Sequence, residues 1–327
     1  MAAVIPGPSD GEDDGPRDAR RFRDADRGQL LLVSGLVVAV SLVALVVLLN
    51  ASIYSENVAT RGIEAADGEA LEVRAAAVEE TGKLIDGTNR QPPADSTVGS
   101  AVEEGIVDLD DHLARAYADR GGVTRVTTDP SAMENGSYVT GDLTANATLA
   151  GGVDRTRGFA FDLNASALEN TTRSGATDES FHVAFSNATG ATGETREVYA
   201  YESEADGNVT LAVGANDGDP TVVCEAPIDG RDRIEIGLTG ERLWDEPCPG
   251  IWSESAGSLD GSYDIDLANA SAANGTVTAT VRPPLDDIDT DLNASAAVYA
   301  ATIDLRYRTA ELRFETTVRV APGEPDA

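Results

Sequence analysis

The sequence predicts a mainly β, sandwich-like extracellular domain carried behind an N-terminal transmembrane helix and a helical stalk. Three features predict it. The run from Gln29 to Leu49 carries no charge, and 21 residues at 1.5 Å rise make about 31 Å of helix, the thickness of a bilayer core. Two stretches after it have helical patterning. From about residue 122 the period changes to alternation, in short runs separated by Gly, Asn, Asp and Pro, as expected of antiparallel strands with one buried face.

Residues 1–28 are rich in Pro, Gly and acids with no apolar period and read as a disordered leader. Arg17, Arg20, Arg21, Arg23 and Arg27 crowd the near flank of the apolar run, whereas only Arg61 follows it closely. This asymmetry keeps the leader in the cytoplasm and puts everything after Asn50 outside. A cleavable export signal would have an apolar core of roughly 7–15 residues ending in an A-x-A-like site; neither feature is present. The expected division is a leader over 1–28, a membrane span over 29–49, a helical stalk over 50–121 with a Pro-rich break near 91–98, and an acidic all-β ectodomain over 122–327.

Within the stalk, "EALEVRAAAVEETGKLID" favours helix and reads as a continuation of the membrane helix. Pro92 and Pro93 interrupt it. A second helix follows, because Val102, Ile106, Leu109, Leu113 and Tyr117 recur at steps of three and four up to Gly121. That apolar face needs a partner, for which the following sheet is the candidate.

Among the strands, "NVTLAV" sends Val209, Leu211 and Val213 one way, and "TVTATV" sets Val277, Ala279 and Val281 against three threonines. "YDIDL" turns Tyr263, Ile265 and Leu267 inward, a parity that would bury Asn269, so the strand should end by Ala268. Ile303, Leu305 and Tyr307 are odd-numbered while Leu312, Phe314, Val318 and Val320 are even. A bulge or tight turn must therefore lie between Thr309 and Glu311.

The chain is intensely acidic, with net charge −33. Residues 1–28 hold 7 acids and 5 arginines, leaving 50 acids against 19 basic residues beyond them. No basic patch is visible along the sequence, so nucleic acid is not an expected partner. Cys224 and Cys248, both on the expected exterior, would close a loop worth roughly 3 kcal/mol as a disulfide; two free buried thiols are the other reading. Of 13 asparagines, 10 stand in N-x-S/T: Asn50, Asn135, Asn146, Asn164, Asn170, Asn187, Asn208, Asn269, Asn274 and Asn293. With 48 Ser and Thr in 327 residues, chance placement gives about two, so N-glycosylation of exported asparagines is expected. Asn50, at the membrane surface, is the poorest acceptor. Thr-rich turns are the bland alternative.

No catalytic, cofactor or metal site is expected. His112 and His182 are the only histidines and no G-x-S-x-G elbow accompanies them. "DDIDTDLN" places Asp287, Asp289, Asp291 and Asn293 like the opening of a calcium loop, but Leu292 stands where the loop needs Gly and Val298 where it needs Glu. A solvated acidic loop is the expectation. With 5% aromatics, neither an enzyme nor a solute-binding cleft is encouraged.

Among the 24 basic residues only Lys83 is a lysine, and acidity with abundant Ala, Gly, Thr and Asp resembles the proteins of haloarchaea. "RGQ" followed by the uninterrupted apolar run resembles the N-terminus of archaeal flagellins and type IV pilins. The resemblance implies cleavage between Gly28 and Gln29 and packing of the apolar helix against like subunits. Val33 stands where bacterial pilins commonly have glutamate. "RGQLLLV" with "NASIYSENVATRG" also resembles a family of uncharacterised haloarchaeal membrane proteins. A plain signal anchor fits the same residues. The expected protein is thus a single-pass, glycosylated surface protein with a structural or adhesive, pilin-like role, the bilayer and related subunits being its partners. A tethered hydrolase or binding module is the alternative. Protease added to intact cells should digest the ectodomain and spare a tag at residue 1; loss of that tag with the membrane sealed would reverse the orientation.

Overall fold

The computed structural model describes residues 41–43, 45–46, 68–187, 194–215 and 219–325. The chain divides into Met1–Ala65 and Ala66–Ala327, and the second unit holds all the sheet structure among the described residues. Residues 41–43 and 45–46 are helical. The expected leader, most of the expected span, Gly28, Gln29 and Asn50 lie outside the described residues. Among the described residues no helix is long and apolar enough to cross a membrane.

Two helices lead, α1 over 68–90 and α2 over Val98–Ala118. The strands that follow are β1 (Val123–Thr128), β2 (Glu134–Asp142), β3 (Ala147–Val153), β4 (Arg155–Asn164) and β5 (Asn170–Thr171). After the short α3 (Ala176–Glu179) come β6 (Phe181–Asn187), β7 (Thr195–Ser203), β8 (Asn208–Ala215), β9 (Thr221–Pro227) and β10 (Arg233–Gly237). The last are β11 (Arg242–Leu243), β12 (Glu246–Pro247), β13 (Tyr263–Ala268), β14 (Thr276–Arg282), β15 (Asn293–Arg308) and β16 (Arg313–Val320). One sheet runs β1-β15-β2-β14-β4-β10-β11-β12, with β16 also on β15; the other runs β3-β13-β6-β7-β8-β9. All pairings are antiparallel except β5, which lies parallel to the end of β7.

The sheets face one another across an aromatic core. Phe159 and Phe161 of β4 meet Phe185 and Phe181 of β6 with ring centroids 6.2 and 5.3 Å apart. Tyr263, Ile265 and Leu267 are buried as their parity requires, β13 stops at Ala268, and Asn269 turns left-handed at φ 49°. The odd-to-even switch near residue 310 is a hairpin: Arg308 pairs with Arg313, so Tyr307 stands opposite Phe314 and Ile303 opposite Val318. β8 departs from the sequence reading, because Thr210 and Ala212 are buried as well as Val209, Leu211 and Val213. Ala176 of α3 packs with Tyr199, Tyr201 and Ala212 over its outer side.

β15 belongs to two layers. Its first half pairs with β2 in the sandwich; its second half runs between β1 and β16. The helices cover this three-stranded extension, where Val73, Ile85, Val102, Ile106 and Tyr117 join Val126, Ile303, Leu305 and Tyr307 in a second core. The α2 face is the one the spacing identified, with Leu109 only half buried. The expected stalk is therefore corrected: α1 does not stand free but folds back antiparallel to α2. Arg120 reaches Glu72 at 3.3 Å, and a Cβ on Gly105 would fall 2.5 Å from Leu84. Ala70, Val73, Ala77, Thr81 and Ile85 form a buried stripe in which alanine and threonine outnumber the large apolar residues, so it reads in sequence as helix propensity rather than as a face.

At the junction sits Arg157, fully buried on β4. Gly158 (φ 57°) sits where β4 bulges against β14; the irregularity re-aims Arg157 while Phe159 stays in the core. Its Nε donates to the Tyr299 carbonyl at 2.6 Å, Nη2 to the Val298 carbonyl at 2.9 Å, and Nη1 to Asp86 Oδ1 at 2.7 Å and the Pro322 carbonyl at 3.0 Å. The Asn89 amide makes both bonds to the Val298 backbone at 3.0 Å, where the β15–β2 register shifts. Replacing one member of a buried, fully bonded charge pair costs about 3–5 kcal/mol, so Arg157→Met should lower unfolding free energy by about that much in denaturant titration of the full chain. Asn89→Leu should cost about 1–3 kcal/mol. An Arg157→Met loss under about 1 kcal/mol would show the junction to be held by packing alone.

Candidate functional site

A recess of about 840 Å³ opens between the β3–β4 turn, the segment around 252–261 and the C-terminal residues 319–325. Its walls carry Arg155, Trp252, Tyr263, Tyr299, Arg319 and Glu324. The loop bearing Trp252 is fixed by two devices. The Cys224–Cys248 disulfide, with Cα atoms 5.6 Å apart, ties it to β9. The Glu241 carboxylate accepts the backbone N–H groups of Gly250, Trp252 and Ser253 at 3.1–3.2 Å, together with the Ser253 hydroxyl at 3.1 Å. Trp252 then packs edge-on against Phe185, centroids 5.8 Å apart.

Charge along the recess is closed by a chain of ion pairs. Arg282 joins Asp154 to Glu134, Arg319 binds Glu134 through Nε (2.6 Å) and Nη2 (3.1 Å) and also reaches Glu324, and Arg155 meets Glu324 at 3.3 Å. Three guanidinium groups thus match three carboxylates in forked geometry. The Tyr299 hydroxyl donates to Glu324 at 3.0 Å, and its ring lies beside both Arg157 and Arg319, 5.6 and 5.9 Å from centroid to guanidinium. Because these groups satisfy one another, the network locks the C-terminal tail onto the sandwich; a polar ligand in the recess would compete with existing bonds.

The network shifts titration in both directions. Hydrogen bonds from Arg319 hold Glu134 below its ordinary value, against its burial and with help from Arg282. Burial raises Glu324, but the bonds from Arg319, Tyr299 and Arg155 outweigh it and leave it lowered. Burial likewise raises Glu241, but the N–H groups of Ser253, Trp252 and Gly250 and the Ser253 hydroxyl outweigh it and leave it lowered. Burial pushes Tyr263 up to about 12, partly offset by its 3.0 Å bond with the Thr156 hydroxyl. Tyr299 is raised further by burial and by Glu324.

The sites read from sequence scatter over the surface. Asn135, Asn146, Asn170, Asn274 and Asn293 are exposed, and Asn164, Asn187, Asn208 and Asn269 are half-buried. Asn164 Oδ1 accepts the Ser166 N–H and hydroxyl at 3.0 and 2.9 Å, opening a short helical turn, and Asp129 does the same for Ser131. N-x-S here also serves as a turn former. The Asn269 amide donates to the carbonyls of Asp178 and Ser180, which makes it a poor acceptor. His112 is exposed on α2; His182 is half-buried on β6, its ring 5.0 Å from that of Tyr199. The two do not converge. The aspartate run closes a sheet edge: Gly151 donates to the Asp289 carbonyl, Asp291 N–H to the Thr148 carbonyl, and Thr148 N–H to Asp291 Oδ2, each at 2.9 Å. Among the described residues no group of three His, Cys, Asp or Glu gathers as for a metal ion.

Sequence reasoning missed the ion-pair network, whose members span positions 134 to 324 with no shared motif. Arg157 left only a misleading trace: in "RTRGFAFDL" it shares the odd parity of Phe159, Phe161 and Leu163, but the bulge at Gly158 turns it toward Asp86 and Pro322 and gives the side facing Tyr263 to Thr156.

A model of a family of unknown function, DUF7261, matches residues 24–177. That stretch takes in the apolar run, both long helices and β1–β5. No curated protein and no solved structure gives a significant match.

The titration shifts set the pH dependence. The lowered glutamates contribute stability above the ordinary glutamate range that is lost as pH falls through about 4 and below. The raised tyrosines contribute stability below about 10 that is lost as pH climbs above it. Thermal melts across pH should fall at both ends, with Tyr263→Phe flattening the alkaline limb and Glu241→Gln the acid limb; unchanged limbs in both variants would refute these assignments.

Proposed function

We propose that the chain is a membrane-tethered surface module, its β domain displayed outside the cell in a structural or adhesive role. The disulfide carries this reading, because Cys224–Cys248 persists in an oxidising compartment and not in a reducing cytoplasm. The apolar run at 29–49 and its arginine flank supply the tether and its direction, and five exposed N-x-S/T asparagines suit glycan addition.

The pilin-like form of the proposal turns on the N-terminus. An assembly helix requires removal of the leader, since five guanidinium groups next to its first turn resist entry into a dry helical bundle. Mature protein should begin at Gln29, and Gly28→Leu should retain the leader and abolish surface filaments while leaving membrane insertion intact. An intact leader on the wild-type protein would leave a tethered glycoprotein instead. Glycopeptide mapping should find sugar on the exposed asparagines and none on Asn269.

A further inference from the structure

The hairpin end of the outer face of the three-stranded extension gathers arginines on an otherwise acidic molecule. β1, β15 and β16 turn their apolar residues toward the helices, so the opposite parity faces out. The register aligns Arg125 with Arg306 and Glu315 in one row, and Val123 with Arg308 and Arg313 in the next. All six side chains are exposed, Val123 at 69%. Four arginines therefore meet one carboxylate in these rows, on a chain with 57 acids and 24 basic residues; exposed Asp304 stands in the adjoining row with Thr127 and Thr317, and Glu311 on the hairpin loop. The sequence reading that no basic patch exists is thereby corrected, because strand register assembles one from residues up to 188 positions apart (Arg125 to Arg313).

This face is also poorly compensated. Arg125 opposes Arg306 and Arg308 opposes Arg313 directly across the strands, an arrangement of like charges that disfavours the sheet. Glu315 serves Arg313 at 2.9 Å and Arg306 at 3.7 Å. Among the described residues Arg125 and Arg308 form no ion pair.

The other end of the same strand carries the opposite charge. The loop leading into β15 holds Asp286, Asp287, Asp289 and Asp291, all exposed, and hydrogen-bonds through backbone groups and the Asp291 carboxylate, leaving most of its carboxylate oxygens outward. β15 is 16 residues long, up to about 50 Å of strand at 3.3 Å per residue. A cationic end and an anionic end are thus joined by one rigid element.

We propose that the arginine face docks a second copy of this chain through that copy's aspartate loop. The two patches are different surfaces, so the contact is heterologous and propagates head to tail. Charge complementarity selects the partner: forked guanidinium groups pair with carboxylates, and the loop is the densest run of them facing out on the described part of the chain. Val123 supplies an apolar contact at one corner of the patch. The inference deepens the structural role proposed above and fails separately from it, since the anchor is tested at the N-terminus and this contact in the purified protein.

Both native cysteines are consumed in one disulfide, so new ones report cleanly. Full-length protein in detergent, carrying Arg308→Cys and Asp287→Cys together, should give a ladder of disulfide-linked oligomers under mild oxidation. Mixing the two single variants should give a dimer only. Adding Arg125→Glu and Arg306→Glu should cut cross-linking about tenfold or more, as expected for like charges brought together in an interface, with the Cys224–Cys248 bond intact as the check on folding. Adding Asp286→Arg and Asp289→Arg to that variant should restore it. Absence of a ladder, a 308-to-308 link alone, or a ladder indifferent to charge reversal would overturn the proposal. So would a monomer that instead retains a polyanion such as heparin or nucleic acid through Arg125 and Arg306.

Discussion

One buried guanidinium group organises the molecule. β15 has to leave the sandwich and continue as the centre of a second, helix-covered sheet, and a strand that changes layers leaves backbone groups at the crossing without ladder partners. Arg157 takes the carbonyls of Val298 and Tyr299 at that crossing, and Asn89 takes both polar groups of Val298. Asp86, at 2.7 Å, neutralises the charge that this service buries. The sandwich, the helix pair and the tail meet at one side chain. A core of aliphatic residues could fill the same space, but it could not satisfy three carbonyls contributed by two segments.

Periodicity and parity made the strands legible, because a sheet with one covered face writes its burial into alternate positions. The end of β13 at Ala268 and the hairpin after Arg308 follow from parity alone. Such reasoning fails where a second layer covers the outer face. Ala176, Tyr199 and Tyr201 pack on Ala212, and Thr210, paired with Tyr201, is buried on the same side; nothing in "NVTLAV" announces that cover. It fails for α1 as well, since an alanine stripe carries little hydropathy contrast although Ala70, Val73 and Ala77 are nearly sealed from solvent. Ion-pair partners were the least legible, because Glu134, Arg282 and Arg319 come together only through strand order, which local pattern does not encode.

The acidity of the chain is more structured than its composition suggests. Carboxylates take backbone N–H groups at a loop (Glu241), at a sheet edge (Asp291) and within β1, where Asp110 accepts Val126 N–H at 2.6 Å. Others complete the forked network beside Tyr299. In a medium of molar salt, long-range repulsion among the remaining acids is screened within about 3 Å, whereas these short, directed bonds are not. The fold therefore tolerates a large net charge without spending its specific contacts to balance it.

The helical layer and the residues after β16 also close on the sandwich. The helices bury their stripe against β15 and β16, and Pro322, Gly323 and Glu324 bind Arg157, Gly158 and Arg319. The helical layer is thus made first along the chain and finds its core only when residues beyond 293 arrive. Contacts of such long sequence separation slow folding and leave apolar surface uncovered meanwhile. Alanine suits that interval, because a stripe of Ala70 and Ala77 around Val73 exposes less apolar area than leucines would while still permitting the close approach that Gly105 and Leu84 require. The same small residues that hide the helix face from a hydropathy reading keep it soluble until β15 and β16 cover it.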